Sequence, residues 1–142
     1  MSNIVFQGNS KTNKNSLLKA WIKDVIHSNG YEADEITFKF VTDETLLSVN
    51  RTYLGHDDYT DIITFDYTSN KIISADIIIS VERVEENADE FQVDYLDELA
   101  RICIHGILHC MGLKDKSAKE KEEMRNKENE YLKLFHVEHD KK

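Results

Sequence analysis

From Ile102 to Leu113 the sequence reads ICIHGILHCMGL, twelve residues without a formal charge and apolar on almost every side when wound into a helix. Such a helix cannot lie on a surface. It must be buried, with the rest of the chain built around it. The stretch is shorter than the roughly 20 residues that cross a bilayer, so it reads as a core helix and no membrane is expected. Its only imidazoles are His105 and His109. Four residues apart, they share one helix face with Cβ atoms about 5–6 Å from each other. Unpaired imidazoles in an apolar setting cost free energy, so this helix calls for something that both rings can hold.

The residues that follow suggest a divalent metal ion. Gly112 can adopt a positive φ at no steric cost, and the turn it allows brings Asp115 back over the two histidines. Two imidazoles and one carboxylate leave coordination positions open for water, which distinguishes a catalytic metal site from a closed structural one. The pattern is close to the zinc-peptidase motif HExxHxxGxx(H/D), but Gly106 stands where a peptidase carries the Glu that serves as general base. Cys110 adjoins His109 but points about a third of a turn away, and reads as core packing. On one helix, Cys103 and Cys110 lie roughly 10 Å apart, too far for a disulfide. Two free thiols fit a reducing cytoplasm.

Around this helix the hydrophobic spacing predicts an α+β domain: a small mixed β-sheet with largely segregated helices, and one buried central helix carrying the metal motif. Ile4 to Phe6 is a short strand. Leu17, Leu18, Trp21, Ile22, Val25 and Ile26 form one face of a helix capped by Asn13 or Asn15 and ended by Asn29-Gly30. Ile36, Phe38 and Phe40 alternate with Thr37 and Lys39, as in a half-buried strand. Asp43 caps a helix carrying Leu46, Leu47, Val49 and Tyr53 and ending near Gly55. Ile62–Phe65 and Ile72–Ile79 are β-branched strands joined by a hairpin at Thr68–Lys71. Val81–Phe91 is helical. Asp94 and Asp97 make a capping box for the central helix, and Ser117 with Glu120 makes another for a last helix whose apolar side is Met124, Tyr131, Leu132 and Phe135.

The 142 residues, read as one domain over 1–142, carry 18 Lys and Arg against 27 Asp and Glu, a net charge of −9. That balance argues against nucleic-acid binding through the whole surface. It leaves room for a local patch, and Lys114, Lys116, Lys119 and Lys121 follow the metal motif directly. Lysines at the start of a helix are opposed by its dipole, which points to another use; Arg51, His56 and Arg101 are further candidates. The N-terminal Met-Ser-Asn-Ile-Val-Phe-Gln-Gly has neither the basic start nor the apolar core of a signal peptide, so a cytoplasmic location is expected.

Three blocks of this sequence resemble one family. His105-Gly-x-Leu-His109-x-x-Gly112-x-x-Asp115 is similar to the HGxLHxxGxxH signature of YbeY-type proteins. Asn50-Arg-Thr-Tyr53-Leu-Gly-His-Asp57-Asp-Tyr-Thr60-Asp61-Ile-Ile-Thr-Phe65 resembles the family's N-x-x-Y-R-x-x-D-x-P-T-D-V-L-S-F, and Ala75-Asp76-Ile77-x-Ile79-Ser80 resembles its GDI-x-IS strand. The resemblance implies a metal-dependent, single-strand-specific endoribonuclease of small-subunit ribosomal RNA maturation and ribosome quality control. It implies one divalent ion, zinc first, held by His105, His109 and Asp115, with RNA and the ribosome or its assembly proteins as partners. The four lysines are the candidate RNA contacts, and Asp57, Asp58 and Asp61 the candidate bases. Three residues depart from the family: Asp115 replaces its usual last histidine, Leu54 an arginine after the tyrosine, and Tyr59 its proline. The first bears on metal preference and the second on catalytic strength. The alternatives are a zinc-peptidase-like hydrolase and a non-enzymatic ribosome-assembly scaffold with a structural metal.

Overall fold

The structure is a computed structural model that describes residues 3–140, apart from the side chains of 137–140; the ends of the 1–142 domain span, residues 1–2 and 141–142, lie outside the described residues. Four strands, β1 (Asn3–Gln7), β2 (Glu32–Val41), β3 (Ile62–Asp66) and β4 (Ile72–Ser80), form one sheet in the order β1-β2-β4-β3. The pairs β1–β2 and β2–β4 are parallel and β3–β4 is antiparallel, so the sheet is mixed as expected. The long apolar run of β4 fits its place beside β2 inside the sheet, buried from Ile77 to Ser80. The β3–β4 hairpin turns on Asn70 and Lys71, both left-handed (φ 54° and 62°), between the paired Ser69 and Ile72. That is the twist-matched two-residue turn.

The five helices are α1 (Asn15–Ser28), α2 (Asp43–Val49), α3 (Val81–Phe91), α4 (Tyr95–Cys110) and α5 (Ala118–Asp140). Helix α4 packs on β3 and β4 and touches α1, α3 and α5, so it is the expected central helix. From Glu98 to Cys110 every residue is buried except Arg101, His105 and His109. Their spacing of four makes one stripe, the only strip of α4 left in contact with solvent along that stretch. The main core lies between α1, α4, α5 and the sheet. A smaller cluster of Leu46, Ile63 and Ile78 sits under α2. Trp21 ties α1 to α5 by donating from Nε1 to the Tyr131 carbonyl at 2.9 Å. Among the described residues no helix is long and apolar enough to cross a membrane. Cys103 and Cys110 are both buried and unpaired.

Several local expectations are corrected. The cap of α1 is Lys14; Asn15 is already helical and its Oδ1 accepts from Ser10 Oγ at 2.6 Å. The cap of α2 is Thr42, whose Oγ1 accepts from the Thr45 amide at 3.2 Å, while Asp43 takes the Arg83 guanidinium at 3.0 Å. The α-helix there stops at Val49. A π-helical turn, Asn50–Leu54, carries the chain to Gly55, and it leaves Tyr53 70% exposed rather than on an apolar face. Asp94 caps α4 without a side-chain hydrogen bond, and the Asp97 carboxylate is turned to His136 Nε2 at 2.9 Å, so the expected capping box does not form. The Ser117–Glu120 box forms in both directions, at 3.1 and 2.9 Å.

Candidate metal centre

The end of α4 builds the centre. The Leu113 amide reaches back to the Leu108 carbonyl and the Gly112 amide to the His109 carbonyl, both at 3.0 Å. This is the paired closure of a Schellman turn, in which C′ must be left-handed; Gly112 holds φ at +98°. The turn aims two groups at the histidine stripe. The Leu113 carbonyl lies 3.1 Å from His109 Nδ1. Asp115 Oδ2 lies 3.2 Å from His105 Nε2 and 3.4 Å from His109 Nε2. The two Nε2 atoms are 3.1 Å apart.

His105 has a partner from a distant part of the chain. Glu128, on α5 and 4% exposed, sets Oε2 2.6 Å from His105 Nδ1. A backbone carbonyl and an ionised carboxylate only accept, so both rings carry their proton on Nδ1 and turn a lone pair outward at Nε2. The two Nε2 atoms and a carboxylate oxygen then face one another at 3.1–3.4 Å, a spacing that a shared proton or a cation makes favourable, and the three groups could hold a metal ion. For bonds of about 2.0–2.2 Å, three tetrahedral ligand atoms stand about 3.3–3.6 Å apart, near the spacing seen. Partners on the far ring nitrogens are what fix a ligating histidine.

The electrostatics agree. Burial alone would lower His105, but the hydrogen bond and charge of Glu128, joined by Asp115 and Asp61, outweigh it and raise the imidazole above its usual value. Surroundings that favour an imidazolium favour a metal cation for the same reason. Burial also raises Asp61, against the pull of His105 and the hydrogen bond from Asn87. It pushes the Glu98 carboxyl up to about 7, although Arg101 pulls the other way.

His105 and Asp115 form part of the wall of a cavity of about 380 Å³, which also meets Asp61, Asn87, Phe91, Glu98, Arg101, Lys121, Arg125 and Glu128. Of the four lysines, only Lys121 reaches it; Lys114, Lys116 and Lys119 are exposed and do not line it. Of the three candidate acids only Asp61 lines it. Its place is fixed by the Ser80 amide on its carbonyl at 3.0 Å and by Asn87 Nδ2 on its Oδ2 at 3.2 Å. Asp57 is paired with Arg51, and the Asp58 carbonyl accepts from the buried Asn50 at 2.7 Å. Neither Arg51 nor His56 lines the cavity; Arg101 does, bound to Glu128 at 3.0 Å. Leu54 is 45% exposed and does not line it either.

Sequence reasoning missed Glu128 and Glu98. A signal for Glu128 was present: it falls at the apolar spacing of α5, between Met124 and Tyr131, where a carboxylate is out of place unless something pairs with it. Replacing it by Gln removes the charge but keeps an acceptor for His105. Glu128→Gln should weaken zinc affinity by about 10- to 100-fold, read by competition with a chromophoric chelator. Unchanged affinity would show that the carboxylate does not support the centre.

Comparisons with known proteins point one way. Residues 3–136 match the family model described as Endoribonuclease YbeY. A Flavobacterium psychrophilum protein named Endoribonuclease YbeY is 50% identical over 117 residues, which cover 82% of this chain and 84% of that one. A Flavobacterium johnsoniae protein of the same name is 51% identical over 118 residues, covering 83% and 85%. The solution structure of a Thermotoga maritima protein superposes with a TM-score of 0.72 at 26% identity, over 99% of this chain and 93% of that one.

Proposed function

The chain belongs to the endoribonuclease YbeY family, and from that membership we propose that it is a single-domain, cytoplasmic endoribonuclease of ribosomal RNA maturation that works with one divalent metal ion. The observation that carries the reading is the convergence of His105 Nε2, His109 Nε2 and Asp115 Oδ2 within 3.1–3.4 Å, on the rim of a cavity that also presents cationic side chains. His105, His109 and Asp115 are the ligands. Zinc is the favoured ion, since two imidazoles and one carboxylate form a donor set that zinc takes in catalytic sites. When bound, such an ion supplies polarisation of a phosphoryl oxygen and activation of water.

The chain's own residues do the rest. Glu128 and the Leu113 carbonyl keep both imidazoles in the ligating tautomer. Lys121, Arg101 and Arg125 line the cavity where a phosphate of the RNA is held. The outlying Lys114, Lys116 and Lys119 serve phosphates further along the strand through their charge. Asp61, on the cavity wall with Oδ2 held by Asn87, is the base that this reading assigns to the proton of the water. The ribosome and its assembly proteins are the setting in which this substrate is met.

The test is substrate choice. Metal-loaded protein should cut single-stranded RNA and leave casein intact, and His105→Ala should abolish the RNA cleavage. Proteolysis that His105→Ala abolishes would reverse the assignment.

A further inference from the structure

Among the described residues four aromatic side chains are strongly exposed: Tyr53, Tyr59, Tyr67 and Phe91. Three of them are engaged. Tyr53 meets Phe65 edge to face at 6.0 Å. Tyr59 donates to Glu44 at 2.8 Å and carries the Arg83 guanidinium over its ring. Tyr67 donates to Asp76 at 3.4 Å. Phe91, 51% exposed at the last position of α3, has no ring contact among the described residues, and of the four it alone lines the cavity beside His105 and Asp115. An apolar ring left in water at the mouth of a polar site loses hydrophobic stabilisation unless a ligand covers it.

The cationic groups of the same cavity differ in availability. Arg101 is held by Glu128 and by Asn129 Oδ1 at 3.2 Å. Lys121 has no ion-pair partner among the described residues, and Arg125 is 57% exposed with only a 3.9 Å approach to Glu128. An uncovered aromatic face and loosely held cations around about 380 Å³ make a complementary set for one nucleotide. We infer that Phe91 is the stacking platform of this cavity, on which an unpaired nucleobase lies flat while Lys121 and Arg125 take its phosphate. The inference rests on the ribonuclease reading and adds to it the residue that selects single strands. A base inside a duplex is stacked on both faces and cannot lie on the ring until it is pulled out.

The test uses a short single-stranded RNA carrying 2-aminopurine, whose fluorescence is quenched by stacking. With chelator present to stop cleavage, wild type should bind the RNA and change its fluorescence. Phe91→Trp should do the same, and Phe91→Leu should bind about tenfold more weakly with the stacking signal lost. With metal restored, Phe91→Leu should raise KM and leave kcat near the wild-type value, and its metal content and melting temperature should be unchanged. Equal binding and equal fluorescence change in wild type and Phe91→Leu would overturn the platform while leaving the ribonuclease reading intact. Failure of wild type both to bind and to cut RNA would overturn both.

Discussion

His109→Ala should strip the protein of nearly all its bound metal and lower RNA cleavage by about a thousandfold, on the order of 4 kcal/mol of transition-state stabilisation. The effect is large because His109 has one role. Its Nδ1 is fixed by the Leu113 carbonyl and its Nε2 completes a three-atom cluster with His105 and Asp115. The ring lies on the part-exposed stripe of α4 and outside the apolar core cluster, so the fold should survive its loss. Metal analysis and circular dichroism on the same preparation separate the two effects. A well-folded His109→Ala protein that keeps its ion would place the ligands elsewhere.

Gly106→Glu should destabilise the protein by about 3 kcal/mol or more, lowering its melting temperature by about 10 °C. A Cβ at this position would stand 3.2 Å from Ile62 Cδ1 and 3.2 Å from Ile77 Cδ1. The glycine is therefore where α4 presses on the sheet, and a glutamate there would drive a carboxylate between two isoleucines. The peptidase alternative fails for the same reason: the position that carries a peptidase's general base faces β3 and β4 rather than the metal ligands. Thermal unfolding checks the prediction. A Gly106→Glu protein as stable as wild type would mean that α4 can move off the sheet at little cost.

How much of this was legible in the sequence depended on the range of each interaction. The His105–His109 pair, the left-handed Gly112 and the return of Asp115 all lie within eleven residues at one helix end, and helical spacing with one local turn brings them together. The central helix was legible too, since nothing but burial suits ICIHGILHCMGL. The Glu128–His105 contact joins residues 23 apart in sequence, and the cavity gathers α3, α4, α5 and the approach to β3; neither has a local period that betrays it. The spacing of Leu46, Leu47, Val49 and Tyr53 read as one helix because a π-turn keeps nearly the same apolar rhythm, yet its wider winding swings Tyr53 out to solvent. The lysines show the same limit: adjacent in sequence, they divide between one that reaches the cavity and three that do not.

The most direct measurement is a metal titration read by cleavage. Chelator-stripped wild type and Asp115→Ala receive zinc in fractions of an equivalent, and bound metal and single-stranded RNA cleavage are followed in the same samples. In wild type, cleavage should be absent at the start, rise in proportion to bound ion and level off at about one ion per chain. Asp115→Ala should bind weakly and stay inactive over the same range. RNA cleavage at full rate in the stripped wild-type protein, or Asp115→Ala binding and cutting as wild type does, would contradict a metal-dependent ribonuclease built on His105, His109 and Asp115.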